Sequence, residues 1–141
     1  MSDGAEQKVA WPPKLFPVQS TGERVFGLLI GPIALGAICG WLLGVTEIGY
    51  TILTILAIAG GLAAGYEHAS LGAGALRGLW GGTLFSLTIC EVHRLIGNDS
   101  LATTPKPIEI IVIFFALISM VLGIIGAALR RKRENKTPAT A

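Results

Sequence analysis

The residues best equipped for chemistry in this sequence are Glu67, His68 and Arg77, a carboxylate, an imidazole and a guanidinium within one short stretch. Arg77 lies inside an otherwise uncharged run of the chain, where an unpaired cation in an apolar medium costs several kcal/mol. It must therefore reach water or find a partner. Glu67 stands in the turn before it, at a depth from which it can pair with Arg77 across a helical hairpin. The expected arrangement is an ion pair that locks two helices, and the same three residues form the candidate site for a lipid headgroup, an anion or a small ligand. His68 adds a group that titrates near neutral pH.

What surrounds these residues sets their context. The chain has 141 residues, of which 52% are hydrophobic and only 14% charged, well under the quarter usual in soluble domains. Its mean hydropathy is +0.66. Four long apolar stretches account for this, at about 25–46, 48–66, 70–92 and 108–129. A helix needs about 20 apolar residues to cross a hydrocarbon layer of about 30 Å. Inside lipid the backbone can bond only to itself, and none of the four stretches alternates polar and apolar residues as barrel strands do. The sequence therefore predicts an all-α integral membrane protein with four transmembrane helices, a tail at 1–24 and a basic tail at 130–141. The first 24 residues show no signal peptide.

Charge sets the expected orientation. Lys8, Lys14 and Arg24 precede the first span, and Arg130, Arg131, Lys132, Arg133 and Lys136 follow the last. Basic residues near spans favour the cytoplasm, so both termini are expected there, as an even number of spans requires. If the third span, which holds Arg77, failed to insert, the two basic tails would lie on opposite sides. Trp11, Leu15 and Phe16, among Pro12, Pro13 and Pro17, read as an approach at headgroup level.

Small residues recur every four positions in each span. Gly36, Gly40 and Gly44 lie on the first, Ala57, Gly61 and Gly65 on the second, and Ser119, Gly123 and Ala127 on the fourth. The third carries Ser70, Gly74, Gly78, Gly82, Ser86 and Cys90. Such strips let helix backbones approach closely, which matters in lipid because apolar burial alone gives helices little reason to associate. Pro32, after Gly31, removes a backbone donor and should bend the first span. A short echo links 36–40 with 74–78. Cys39 and Cys90 read as buried small hydrophobes.

On the opposite face Glu91 and Arg94 stand at i, i+3, and Asn98-Asp99-Ser100 has the spacing of a glycosylation sequon. His93 lies on that face too, across the membrane from His68, so the two cannot share a metal ion. No metal ligand set, cofactor fingerprint or nucleophile with a base is legible, and neither enzyme activity nor nucleic-acid binding is expected. In length and span count the chain resembles the small multidrug transporters. It departs from them in the first span, which lacks their embedded carboxylate, and Arg77 would favour anions instead. The composition points to a structural or accessory membrane protein that assembles through its glycine faces, as a homo-oligomer or within a larger complex. The alternative is a small oligomeric transporter or channel with a polar site at Arg77.

Overall fold

The computed structural model describes residues 15–135, so Trp11 and the outer parts of both tails lie outside the described residues. Within 15–135 the chain folds into four long helices and no strands: α1 (Thr21–Leu43), α2 (Glu47–Tyr66), α3 (Leu71–Ile96) and α4 (Ile110–Glu134). Three of them, α1, α2 and α4, are long and apolar enough to cross a membrane, which makes this a multi-pass membrane protein. By composition α3 falls short of that measure, because it carries Arg77, Glu91, His93 and Arg94 together with several hydroxyls.

Three of the four helices begin at a polar side chain that supplies a cap, and α4 starts without one. Ser20 and Glu23 form a reciprocal capping box at the start of α1. Thr46 accepts from the Gly49 N–H at 3.3 Å, and Ser70 accepts from the Ala73 N–H at 3.1 Å. Ser70 is thus an exposed N-cap and takes no part in the buried strip that its spacing suggests. α3 ends at Gly97, whose φ of 71° places it in the left-handed region that glycine adopts without strain.

The helices alternate in direction, with both described tails at one end, here called the tail end, and the long connection after α3 at the other, the loop end. α3 is the hub, packed along α4 on one side and α1 on the other, while α2 lies against α4. Glycine makes these approaches possible. A Cβ added at Gly36 would stand 2.5 Å from the Phe85 carbonyl oxygen, and one at Gly40 would stand 2.7 Å from that of Ile89. At Gly65 it would meet Gly123 backbone at 2.5 Å. At Gly74, Gly78 and Gly123 it would overlap the backbone of the facing helix outright. Gly82 faces Phe115 and Ser119, whereas Gly61 has only the end of Leu122 nearby. Gly44 closes on Asn98 in the loop. The short echo does not find equivalent neighbours, since 36–40 packs on α3 and 74–78 on α4.

The apolar core occupies the loop-end half, built from Cys39, Leu43, Phe85, Ile89, Ala102, Ile111 and Phe115. The connection between α3 and α4 is tied to it by the Leu101 N–H, which donates to the Leu43 carbonyl at 2.9 Å. Glu91 and Arg94 pair at 2.5 Å, both exposed.

Candidate functional site

The tail-end half is built differently. Toward that end α1 and α2 diverge, and a cleft of about 260 Å³ opens with walls from all four helices. α1 supplies Gly27, Gly31, Pro32 and Leu35; α2 supplies Ala57, Ile58, the small residues Gly60, Gly61, Ala63 and Ala64, and then Glu67; α3 and α4 form the floor with Gly78, Gly82, Phe85, Phe115 and Ser119. Small side chains on every wall leave the space unfilled. Arg77 projects into this cleft.

The position of the Arg77 side chain follows from a defect in α1. Between Phe26 and Ile30 the helix widens to π geometry, in which each N–H reaches back five residues, and the Gly31 N–H donates to the Phe26 carbonyl. In that register the Gly27 carbonyl should receive the N–H of residue 32, but residue 32 is proline and has none. Arg77 fills the vacancy by donating from Nη2 to the Gly27 carbonyl oxygen. Glycine at 81 clears the path: the guanidinium lies so close to it that a Cβ there would be 2.7 Å from Nη1. The side chain therefore crosses to α1 instead of snorkelling toward water.

The expected ion pair between Glu67 and Arg77 is not formed. The two groups line the same cleft, yet the guanidinium is held on α1 by the proline-vacated carbonyl while Glu67 sits at the end of α2. Among the described residues neither the Glu67 carboxylate nor the Nε and Nη1 of Arg77 has a hydrogen-bonding partner. Opposite charges thus face one apolar space without neutralising each other by contact.

His68 does not join them in the cleft. It is 8% exposed, and its Nδ1–H donates to the Ala64 carbonyl at 3.1 Å, closing the end of α2. Its ring stacks on Phe16 with centroids 5.1 Å apart. The Phe16 N–H donates to the Glu67 carbonyl at 2.9 Å, and the Arg24 guanidinium lies over the Phe16 ring, 5.5 Å from its centroid. Leu15 and Phe16, expected at headgroup level, thus dock as a strap over the turn between α2 and α3. A second, shallower recess lies beneath this strap, bounded by Leu28, Leu76 and Trp80, with Arg77 between it and the main cleft.

Sequence reasoning missed Arg130. It reads as one of a row of basic anchors, but it is only 8% exposed, and its Nη1 donates to the Tyr66 carbonyl at 3.2 Å while Nε donates to Glu134 at 2.9 Å. With His68 on Ala64 and Phe16 on Glu67, it completes the capping of the last carbonyls of α2. Its i, i+4 spacing to Glu134 was the one available signal.

Burial holds the His68 pKa below the ordinary 6.5, the bond to Ala64 opposing this and the Arg77 charge adding to it, with Glu67 acting the other way. The native state thus prefers neutral His68, while the unfolded chain takes up a proton as pH falls through 6.5. Stability present above that pH is lost below it. The thermal midpoint of the detergent-solubilised protein should fall between about pH 7 and pH 5, and His68→Gln should flatten this slope. A slope unchanged by the substitution would assign it to another group.

Among the described residues no three His, Cys, Asp or Glu side chains are grouped to hold a metal ion. In comparisons with known proteins the chain matches no family, no curated sequence and no solved structure.

Proposed function

We propose that this chain is a four-crossing membrane protein that binds a small apolar or amphipathic molecule inside its helix bundle, as a carrier or transporter rather than an enzyme. The observation that carries this reading is the cleft: about 260 Å³ of apolar space lined by all four helices, with Arg77 and Glu67 at its tail end. Ligand sites in membrane bundles and soluble proteins alike are mostly apolar hollows with a few convergent polar groups.

The fourth crossing is argued from α3. Its hydroxyls bond within their own helix: Thr83 to the Leu79 carbonyl at 2.7 Å, Ser86 to Gly82 at 2.6 Å and Thr88 to Leu84 at 2.7 Å. Their polarity is hidden from lipid, and α3 lies antiparallel to α4 along most of its length. Four crossings bring both basic tails to one side, the cytoplasm.

The sequence's other reading, assembly with further copies or a larger complex, keeps one specific support. α2 is the least enclosed helix, exposing Ile48, Ile52, Ile55 and Leu56. Most of the glycine strips, however, meet partners within the chain and do not require a second copy.

Gly60→Phe tests the binding reading. Gly60 borders the open side of the cleft, and a Cβ there meets nothing within 4 Å, so a ring at its mouth finds room without displacing backbone. Native mass spectrometry of gently extracted protein should show a retained small molecule on the wild type and its loss from Gly60→Phe at unchanged thermal stability. A wild type that carries nothing, or a variant that keeps its ligand, would sink the reading.

A further inference from the structure

Two charges line one apolar cleft without touching, and each has bonding capacity left over. Arg77 uses one of its five N–H groups on Gly27, leaving Nε and Nη1 free of protein acceptors among the described residues. The Glu67 carboxylate accepts from no described side chain. A plain anion would satisfy Arg77 and be repelled by Glu67, and a plain cation the reverse. A head that carries an anionic group and a primary ammonium satisfies both.

The rest of the cleft says what that head is attached to. Beyond Arg77 its walls are Leu35, Ile58, Phe85 and Phe115 with glycines between, which offers an apolar tail dispersion contacts and almost no hydrogen bonds. The cleft is open on the α2 side, where Ile58, Gly60 and Ala63 are exposed. With α2 in the membrane, this opening faces acyl chains. α3, with 26 residues, is about 39 Å long and exceeds the hydrocarbon thickness of about 30 Å. Arg77, about 9 Å from its start, therefore lies near the boundary where lipid phosphates begin.

We infer that the cleft holds a phospholipid with a phosphoethanolamine head, its phosphate on the free N–H groups of Arg77, its ammonium on Glu67 and one acyl chain in the glycine-walled slot, reached from the bilayer between α1 and α2. This rests on the proposed binding function and names its ligand. Guanidinium and phosphate make charge-assisted bonds, and a primary ammonium donates to a carboxylate where a quaternary one cannot.

The test is native mass spectrometry of the full chain in detergent with ethanolamine, choline and glycerol phospholipids of identical acyl chains at equal concentration. The ethanolamine lipid is expected to be retained about tenfold or more over each of the others, the size of one charge-assisted hydrogen bond. Arg77→Gln should lower its retention about as much, and Glu67→Gln, which keeps an acceptor but loses the charge, should clearly reduce the preference over the choline lipid. Because Arg77→Gln also frees the Gly27 carbonyl, its thermal midpoint is measured alongside; Glu67→Gln alters no such bond and decides the matter if Arg77→Gln fails to fold. Free phosphoethanolamine is expected to displace none of the bound lipid. Equal retention of the three lipids, preference for the glycerol lipid, an unaltered preference in Glu67→Gln or full displacement by the free head would each overturn the inference. If Gly60→Phe still expels a bound molecule in any of those cases, the binding function stands and only its ligand is wrong. If wild type retains nothing, both fall.

Discussion

Gly78→Leu should force α3 and α4 apart and sharply destabilise the folded protein. A Cβ at position 78 alone would overlap the Ser119 carbonyl, with the backbone of Met120 at 3.0 Å, so the obstruction is main chain and not a side chain that can turn aside. Overpacking a core typically costs 1–3 kcal/mol when side chains can rearrange. Here one helix would have to move bodily, and about 3 kcal/mol is a lower bound. Gly123 faces the same contact from α4, so the displacement would also disturb the approach of α2 at Gly65. The measurement is the denaturant midpoint in mixed micelles, with Gly60→Ala as the control. Nothing lies within 4 Å of a Cβ at position 60, and alanine there should be neutral or stabilising by up to about 1 kcal/mol. Similar midpoints for Gly78→Leu and the control would refute the packing argument.

Arg130→Met should cost about 2–3 kcal/mol, more than removing any of the neighbouring basic residues. Methionine keeps much of the apolar stem but leaves the Tyr66 carbonyl without its guanidinium donor and Glu134 without its partner at 2.9 Å. The guanidinium also lies 5.7 Å from the centre of the Tyr66 ring, a contact that methionine replaces only in part. A buried acceptor left unpaired carries a larger penalty than the bond itself contributes, which is why a single substitution is expected to be visible. Arg131→Ala, on the exposed side of α4, should stay within about 0.5 kcal/mol of wild type. Equal effects of the two substitutions would return Arg130 to the role of a surface anchor. The effect should reach the cleft, because Arg130 holds the end of α2 that carries Glu67.

The local patterns of the sequence went far toward this fold. Uncharged runs long enough to span a bilayer require helices, since the backbone has no other partner there, and the helix limits follow from Thr46, Ser70 and Gly97, whose capping chemistry is local. The i+4 glycines marked close approaches because a missing Cβ is a property of the residue wherever it lies. They could not say which helix would be approached, and α3 proved to be the hub, with α1 and α4 on either side of it.

Arg77 shows where local reading stops. Sequence spacing put it near Glu67, and it is near Glu67, but the hydrogen bond it makes goes to Gly27, 50 residues away. Pro32 was legible as a lost donor; that the resulting vacant carbonyl would fall opposite a guanidinium depended on the register of α1 against α3, which only tertiary packing fixes. Arg130 looked like its basic neighbours for the same reason, since burial at the end of α2 is set by how α2 and α4 pair. The sequence by itself determined the helices, their caps and the faces able to approach closely, because these depend on residues a few positions apart. The tertiary structure alone decided that α1 and α2 diverge, that small residues on all four helices leave a hollow between them, and that Glu67 and Arg77 face it unpaired, because those are relations between backbones distant in the chain.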